Sequence, residues 1–138
     1  SYTYTVPATL SAGTHTLSVT ATDTQNRTGS DNITFTVSAA QVTVSISAPS
    51  SGSVLSFPGD FTATIAGDQS AVTSLSFSLQ HKTSSTVYTS GNATHDGAGT
   101  WTVNWNVPAP EVGDYTLFAN ATLEGGNTAT ASIDVTVN

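Results

Sequence analysis

The feature that most restricts the fold of this chain is a repetition of its own sequence at a spacing of 100 residues. Residues 13–37 read GTHTLSVTATDTQNRTGSDNITFTV, and residues 113–137 read GDYTLFANATLEGGNTATASIDVTV. The two segments align without a gap, and a period of this size is that of a whole domain, since solenoids repeat every ~20 to 50 residues. The chain is therefore predicted to contain the closing three strands of an incomplete domain, residues 1–38, and a complete domain, residues 39–138.

Apolar and polar residues alternate with a period of two through most of the chain, which is typical of strands that bury one face. No window shows the apolar spacing of an amphipathic helix, so the chain is predicted to be all-β. Strands of the complete unit are predicted at residues 42–48, 61–66, 75–79, 87–89, 101–107, 115–121 and 131–137. Segments rich in Gly, Pro, Asn and Asp, predicted as turns, occupy residues 48–53, 57–60, 66–70, 90–99 and 123–127. Seven short strands separated by such turns predict a two-sheet β-sandwich.

Two tryptophans share one face of the predicted strand at residues 101–107. Aromatic faces stack on sugar rings, so this pair could bind carbohydrate. However, Trp101 and Trp105 have the same parity as Val103 and Val107, and Trp105 aligns with Tyr4 when residues 2–7 are matched to 102–108. A core position is therefore favoured for both. The predicted core residues are Trp101, Trp105, Leu117, Ile133 and Val135.

Charge is scarce in this sequence. Only 8% of residues are charged, Arg27 and Lys82 are the sole permanent cations, and the formal net charge is −7. Nucleic acids and anionic membranes are bound by clustered Lys and Arg, so neither partner is expected. No apolar run is long enough for a membrane span, and the first ten residues lack the pattern of a signal peptide. Cysteine is absent, which excludes disulfides, thiolate chemistry and Cys-based zinc sites.

Four sequons offer candidate N-glycosylation sites at Asn26, Asn32, Asn92 and Asn120. Ser and Thr are so frequent here that some sequons are expected by chance. Placement supports modification, because two of the four lie in predicted loops and Asn120 lies on an outward strand position. Glycans would also give solubility to a surface that carries little charge.

No catalytic motif or cofactor fingerprint is present, and the chain is predicted not to be an enzyme. The three histidines show no metal-ligand spacing, and His15, which aligns with Tyr115, is predicted as a strand residue. No metal or cofactor is therefore predicted. Calcium is the one alternative, because acidic residues lie in predicted loops at Asp60, Asp68, Asp96, Asp114 and Glu124. No calcium-binding loop pattern occurs, so solvated loops explain these residues equally well. Tyr88, on a short polar strand, is the candidate ligand-binding aromatic.

Three features carry a resemblance to known families. Pro49, Gly52 and Val54 form a P..G..V opening, an aromatic strand precedes GDYTLFANAT, and the unit closes with GGNTATASIDVTV. In these features the chain resembles bacterial immunoglobulin-like (Big-type) repeats of secreted and surface proteins. Residues 100–117, TWTVNWNVPAPEVGDYTL, are more weakly similar to the Kre9/Knh1-type domain of fungal cell-wall proteins. Both resemblances imply an immunoglobulin-like, extracellular, modular and usually non-catalytic domain.

The leading fragment poses a physical difficulty, because three strands alone leave an apolar face bare. Covering such a face is worth on the order of 1 to 3 kcal/mol for each large side chain. The residues concerned are Tyr2, Tyr4, Val6, Leu17, Val19, Ala21, Ile33, Phe35 and Val37. Either strands that precede Ser1 in a longer chain or strands of a neighbouring molecule are expected to cover it.

Three functions remain open from the sequence. The first is a structural or adhesive module of an extracellular or cell-surface protein, in a stalk, wall layer or filament, with neighbouring repeats or copies of itself as partners. The second is an accessory or carbohydrate-binding module of a secreted polysaccharide-degrading enzyme. The third is a recognition domain that presents ligand contacts on residues 81–99.

Overall fold

The structure is a computed structural model that describes residues 3, 5 and 10–138. The chain divides into two compact units, Ser1–Ala40 and Gln41–Asn138. Of the strand predicted at residues 2–7, residues 2, 4, 6 and 7 lie outside the described residues, among them Tyr4, which would correspond to Trp105. The described part contains no helix long and apolar enough to cross a membrane.

Eleven strands and two short 3₁₀ turns make up the described structure. Unit 1 contributes β1 (Gly13–Thr22) and β2 (Thr28–Val37). Unit 2 contributes β3 (Val42–Ala48), β4 (Val54–Leu55), β5 (Gly59–Gly67), β6 (Val72–His81), β7 (Val87–Asn92), β8 (Thr94–His95), β9 (Thr100–Trp105), β10 (Gly113–Leu123) and β11 (Thr128–Val137). The 3₁₀ turn Glu124–Gly126 lies within the turn predicted at residues 123–127, and Gln69–Ala71 begins in the turn predicted at residues 66–70 and extends one residue beyond it.

The strands of unit 2 form two sheets. A five-stranded sheet has the order β4-β11-β10-β6-β7, and a four-stranded sheet has the order β3-β5-β9-β8. All neighbouring strands run antiparallel except β4 and β11, which are parallel. This strand order confirms the prediction of an all-β, immunoglobulin-like sandwich.

The core of the sandwich follows from the alternation of each strand. On β10, Tyr115, Leu117, Ala119 and Ala121 are fully buried, while the residues between them face outward. The core residues contributed by the other strands include Phe61, Ala63, Ile65, Leu75, Phe77 and Leu79. The ring of Phe61 meets that of Trp105 edge-on, with centroids 5.2 Å apart. Burial of each large side chain contributes roughly 1.5–3 kcal/mol to the folded state.

The residues predicted for the core lie at or near its centre. Trp101 is 8% exposed and Trp105 is 6% exposed, so both tryptophans are buried. Leu117 and Val135 are buried as well. Ile133 is only partly buried, although it packs against the same core.

Two strands were not predicted, and both contain two residues, too few for alternation to be visible. In β4, Val54 and Leu55 pair with β11, whereas the preceding residues had been predicted as a turn. In β8, Thr94 and His95 pair with β9 inside residues 90–99, which had been predicted as a turn. The prediction of a strand to residue 107 was also too long, because β9 ends at Trp105. Val107 is buried as predicted, and Pro108 after it has no backbone N–H to donate to a strand ladder.

Strands β1 and β2 of unit 1 form an antiparallel hairpin that repeats the hairpin β10–β11. Gly13 pairs with Val37 at the open end, and Thr22 pairs with Thr28 at the loop. The residues 100 positions further along the chain pair in the same register throughout β10 and β11. The sequence repeat is therefore also a structural repeat.

The outer face of the β1–β2 hairpin is polar without being charged. Its exposed residues are Thr14, Thr16, Ser18, Thr20, Thr22, Thr28, Ser30, Asn32, Thr34 and Thr36. In unit 2, Thr116 and Asn120 occupy the corresponding face of β10, with Phe118 as an apolar exception. Such side chains favour strand conformation and hydrogen-bond with water, which allows a surface with few ions to stay hydrated.

Candidate functional site

A tyrosine corner closes one end of unit 2. The fully buried Tyr115, near the start of β10, donates its phenol O–H to the backbone carbonyl of Glu111 at 2.8 Å. The ring of His81 meets the Tyr115 ring edge-on at 4.7 Å. Burial raises the pKa of Tyr115, and the neighbouring Tyr88 and Glu111 raise it further. A tyrosine at this position, bonded to the backbone just upstream, is a hallmark of immunoglobulin-like folds.

The side chain of Glu111 connects this corner to the turn between β6 and β7. Ser84 donates its hydroxyl to Oε2 at 2.8 Å, and Thr86 donates its hydroxyl to Oε1 at 3.1 Å. These two hydrogen bonds stabilise the carboxylate and lower the pKa of Glu111. Glu111 was not among the predicted site residues, although its place four residues before Tyr115 was a usable signal.

The same corner brings together a serine, a histidine and a carboxylate, but their hydrogen bonds are not those of a catalytic triad. His81 is buried, and its Nδ1 accepts hydrogen bonds from the backbone N–H groups of Thr83 at 3.2 Å and Ser84 at 3.0 Å. In the neutral ring Nε2 then carries the proton, 3.4 Å from the carbonyl oxygen of Val112. The Ser84 hydroxyl bonds to Glu111 and not to the imidazole, so no nucleophile is paired with a base.

Unit 1 repeats the corner with a different side chain. His15 stands where unit 2 has Tyr115, and its Nε2 lies 2.7 Å from the backbone carbonyl oxygen of Ser11, again four residues upstream. Its ring stacks on Phe35 with centroids 5.7 Å apart. His15 thus occupies a strand position as predicted, with a structural partner for its ring nitrogen.

The inner side of the β1–β2 hairpin, called here the hairpin face, consists of residues whose counterparts form the core of unit 2. Val19 is 57% exposed, whereas its counterpart Ala119 is 0% exposed. Ile33 is 61% exposed, whereas Ile133 is partly buried against the core. The members of the hairpin face are His15, Leu17, Val19, Ala21, Ile33, Phe35 and Val37. The hairpin face is thus the counterpart of a surface that the second sheet covers in unit 2.

Three of the four candidate glycosylation sites are open to solvent. Asn26 lies in the β1–β2 loop with a φ of 61°, Asn32 lies on the outer face of β2, and Asn92 ends β7. Asn120 is half-buried on the outer face of β10, and its Nδ2 donates to Ser78 Oγ at 3.1 Å. Occupancy of these sites stays a prediction, and the three exposed side chains present their amide nitrogens most freely.

Aromatic residues do not form an open carbohydrate platform in unit 2. The indole rings of Trp101 and Trp105 are buried, and Trp101 stacks on His95 with centroids 4.7 Å apart. Tyr88 is half-buried against the core, with its ring centroid 6.4 Å from that of Tyr115. Its predicted role in ligand binding therefore depends on the part of the ring that stays exposed.

The acidic residues predicted to lie in loops bond mainly to the protein itself, and the prediction was wrong for two of them, because Asp60 lies in β5 and Asp114 in β10. Asp96 accepts hydrogen bonds from the backbone N–H groups of Ala98 at 2.7 Å and Thr100 at 3.0 Å, which lower its pKa. Asp60 accepts a hydrogen bond from Asn104 at 2.7 Å. Among the described residues, no three potential metal ligands of the His, Cys, Asp and Glu types come together. The calcium alternative stays a prediction.

Comparison with known proteins shows the fold and not a family. No family model matches the chain, and no curated protein matches it in sequence. A tetra-tandem repeat in the extending region of a large adhesion protein matches with a TM-score of 0.55 and 18% identity, over 95% of this chain and 33% of that one. Fibronectin(III)-like modules of Clostridium thermocellum CbhA match with a TM-score of 0.53 and 16% identity, over 94% of this chain and 64% of that one.

An endo-β-1,4-mannanase from Thermotoga petrophila also matches, with a TM-score of 0.58 and 18% identity. That match covers 71% of this chain and 20% of the mannanase. The chain thus spans less than two thirds of the length of each of these three proteins. At such identities the likeness extends to the immunoglobulin-like sandwich, and it supports the resemblance to bacterial immunoglobulin-like repeats at the level of fold.

Proposed function

We propose that this chain is a non-catalytic structural module, an immunoglobulin-like repeat that extends a secreted or cell-surface protein. The observation that carries the proposal is the repeated hairpin. Two hairpins 100 residues apart share their register, and each begins with a ring that contacts the backbone four residues upstream. The two units therefore share their hairpin and the ring contact at its start, and they do not share a set of catalytic side chains. Such a repeat is suited to extending a structure by the addition of equivalent units.

The surface and the comparisons support the same role. Hydroxyl-bearing outer faces and three exposed sequons suit a protein that works outside the cell. The tetra-tandem repeat that this chain resembles in fold belongs to the extending region of an adhesion protein. Under this proposal the partners are neighbouring repeats or other copies of the chain, and the protein is extracellular.

The strand order of unit 2 supports a load-bearing form of this role. β4 lies near the start of the unit, β11 ends it, and the two strands pair in parallel. Tension on the ends of the unit acts first on β3, which pairs with β5, and once β3 has detached it pulls β4 and β11 in opposite directions along their axes. The backbone bonds from Gly52 N–H to Asp134 O at 2.7 Å and from Thr136 N–H to Ser53 O at 3.0 Å must then break together. Bonds loaded in shear share the force, whereas bonds that are unzipped break one after another.

Single-molecule force spectroscopy on the chain, held at its two ends, tests this proposal. Thr136→Pro removes the N–H that bonds to Ser53, so the unfolding force of unit 2 should fall. Thr130→Pro is the matched control, because Thr130 lies on the same edge of β11 but beyond the two residues that pair with β4. Both variants also lose one threonine hydroxyl bond to a side chain on β10.

Urea unfolding should show that both proline variants remain folded, as prolines on an edge strand often are. The proposal predicts that Thr130→Pro keeps the force of the unaltered chain while Thr136→Pro does not. Equal forces for all three proteins, or a force too low to distinguish from that of an unfolded chain, would rule out a load-bearing module.

The similarity in fold to part of a mannanase favours one second candidate, an accessory module of a polysaccharide-degrading enzyme. The test is retention of the chain on insoluble cellulose, chitin, mannan and glucan. If Tyr88 stacks on sugar, Tyr88→Ala should abolish retention and Tyr88→Phe should preserve it, because the ring face is unchanged. Passage of the unaltered chain through all four matrices would eliminate this candidate.

A further inference from the structure

The imidazole of His81, at the end of β6, is enclosed at the tyrosine corner of unit 2. It is 8% exposed, and its ring stands edge-on to that of Tyr115. On the Nε2 side the backbone of Gly113 lies so close that no Cβ would fit there without a shift. A buried imidazole needs hydrogen-bond partners for its ring nitrogens within the protein. The state of protonation of this ring is therefore tied to the groups around it.

The Nδ1 atom of His81 holds the turn between β6 and β7. It accepts the backbone N–H groups of Thr83 at 3.2 Å and Ser84 at 3.0 Å, two residues of that turn. An imidazole nitrogen accepts a hydrogen bond only while its lone pair is free, and in the imidazolium both nitrogens carry protons. Protonation at Nδ1 would thus place a third N–H against two N–H donors. The two bonds to the turn exist only with the neutral ring.

The Nε2 atom responds differently to the same change. It lies 3.4 Å from the carbonyl oxygen of Val112, just before β10, and it carries its proton in both the neutral and the charged ring. Protonation therefore leaves the contact with Val112 possible and removes only the bonds on the Nδ1 side. The group that protonation releases is the β6–β7 turn.

Ser84 extends the effect of the ring to a second set of bonds. Its N–H donates to His81 Nδ1, and its hydroxyl donates to Glu111 Oε2 at 2.8 Å. A displacement of Ser84 away from the ring would also break this hydroxyl bond. One proton on the imidazole is thus coupled to the joint between the β6–β7 turn and the segment before β10.

Other titratable groups lie around the ring on each neighbouring element. Tyr88 of β7 and Tyr115 of β10 are phenols, which are uncharged at neutral and acid pH. Lys82 and Asp114 lie next to this corner, and both bond to side chains of β11 on the outer face. The charges of Lys82 and Asp114 are therefore engaged with β11.

The Glu111 carboxylate is the charge that bears most directly on His81. Its pKa is lowered mainly by the hydroxyls of Ser84 and Thr86, and to a smaller extent by a charged His81. Attraction between this carboxylate and an imidazolium opposes release of the turn, but it is the weakest of these influences. Because its pKa is lowered, Glu111 stays ionised throughout the range in which histidines gain a proton. The two titrations are therefore separate.

We propose that His81 is a pH switch within unit 2: its neutral ring fastens the β6–β7 turn, and its protonation releases residues 82–86 while both sheets stay folded. Histidine is the side chain that ordinarily changes charge between about pH 5 and 8, and local opening of a turn leaves a packed core intact. The inference is independent of the load-bearing role, because the force measurement concerns β4 and β11.

NMR of the whole chain, labelled with ¹⁵N, tests the switch. At about pH 8 the Nε2-protonated tautomer should be present, with scalar couplings across the hydrogen bonds from the Thr83 and Ser84 amides to Nδ1. On acidification to about pH 5 these couplings should vanish. Protection of the two amides from hydrogen exchange, corrected for intrinsic rates, should fall by about tenfold or more, since two hydrogen bonds are lost.

Controls within the chain identify the origin of the change. The amides of Ala98 and Thr100 also bond to a side chain, but their acceptor is the Asp96 carboxylate, whose lowered pKa keeps it ionised at about pH 5. Their protection should stay constant, as should that of the β10 amides.

Two variants separate His81 from Glu111. His81→Asn supplies a carbonyl oxygen that can accept the same turn amides and that does not titrate, so protection should no longer depend on pH. Glu111→Gln keeps the imidazole and should still release the turn. The NMR measurement on the unaltered chain decides the proposal even if a variant fails to fold.

Four outcomes would overturn the proposal. The first is a neutral tautomer with its proton on Nδ1. The second is a protonated ring with both turn amides still protected, which would show that Glu111 retains the imidazolium in place. The third is a ring that stays neutral until the whole unit unfolds in acid. The fourth is loss of protection along β10 together with the turn, which would be global unfolding.

Discussion

Because of the repeat, the same leucine-to-alanine substitution can be made at equivalent positions of the two units, with a large effect expected in one and a small effect in the other. Leu117 is 0% exposed and lies on β10 between Leu79 of β6 and Ile133 of β11. Leu17 occupies the same position on β1, but it is only partly buried. Truncation to alanine should therefore destabilise unit 2 strongly and unit 1 weakly.

The magnitude follows from burial. Leu117→Ala removes a fully buried side chain and leaves a cavity between two closely packed sheets, at a cost of roughly 2–5 kcal/mol. For a unit of this size, each kcal/mol lowers the melting temperature by roughly 4–8 °C, so a loss of about 3 kcal/mol lowers it by about 12–24 °C. Leu17→Ala removes a side chain that is already partly in water, and its cost should stay below about 1 kcal/mol.

Tryptophan fluorescence in urea isolates the effect on unit 2, because Trp101 and Trp105 are the chain's only tryptophans. Hydrogen exchange at the β1 amides reports on unit 1. The midpoint of the fluorescence transition should fall for Leu117→Ala and stay constant for Leu17→Ala. If Leu17→Ala lowered the stability of β1 as much as Leu117→Ala lowers that of unit 2, the hairpin face would be covered and the reasoning refuted.

Three further predictions concern the tyrosine corner. Tyr115→Phe loses one hydrogen bond, worth about 1 kcal/mol at neutral pH. Because burial raises the folded-state pKa of Tyr115, the parent's added stability is present below the unfolded pKa of about 10 and is lost as pH rises through the folded value. Urea titrations at alkaline pH should show this loss in the parent and not in the variant. The pH dependence of stability that comes from Glu111 has the opposite sign. Because the folded state lowers the pKa of Glu111, its contribution to stability is present above the unfolded pKa and is lost as pH falls through the folded pKa. In urea titrations at acid pH, Glu111→Gln should therefore lose less of its free energy of unfolding than the parent does as pH falls. An equal loss in both proteins would contradict a stabilising role for the Glu111 carboxylate. In Gly113→Ala the added Cβ would lie 2.5 Å from His81 Nε2, at a φ of 148°, so calorimetry should show destabilisation by roughly 1–3 kcal/mol. A neutral result would show that the histidine ring can move aside.

The sheet architecture of unit 2 was predictable wherever alternation extended over several residues. The parity of Trp101 and Trp105 placed both rings on the inner face, and both are buried. The repeat predicted that residues 13–37 and 113–137 adopt like shapes, and their registers agree. These features depend on local pattern and on comparison of the sequence with itself, both of which a single chain contains.

The features that escaped prediction depend on contacts between distant residues. β4 pairs through two residues, so its partner β11 is evident only in the folded sheet. Burial of His81 was not foreseen because its ring nitrogens find backbone partners in a turn whose shape the sequence does not specify. Glu111 was likewise missed, since its two hydroxyl donors lie more than twenty positions earlier in the chain.

The scarcity of ions on the outer faces bears on the surroundings that the protein tolerates. Dissolved salt screens charges from one another. The distance over which exposed charges still interact is about 10 Å at 0.1 M ionic strength and about 3 Å at 1 M. Among the described residues the ion pairs of Lys and Arg are Arg27 with Asp23 and Lys82 with Asp134, and both are solvent-exposed. Pairs of that kind contribute little, and threonine hydroxyls bond to water at any ionic strength. Loss of these two ion pairs at high salt should therefore change the stability of either unit only slightly.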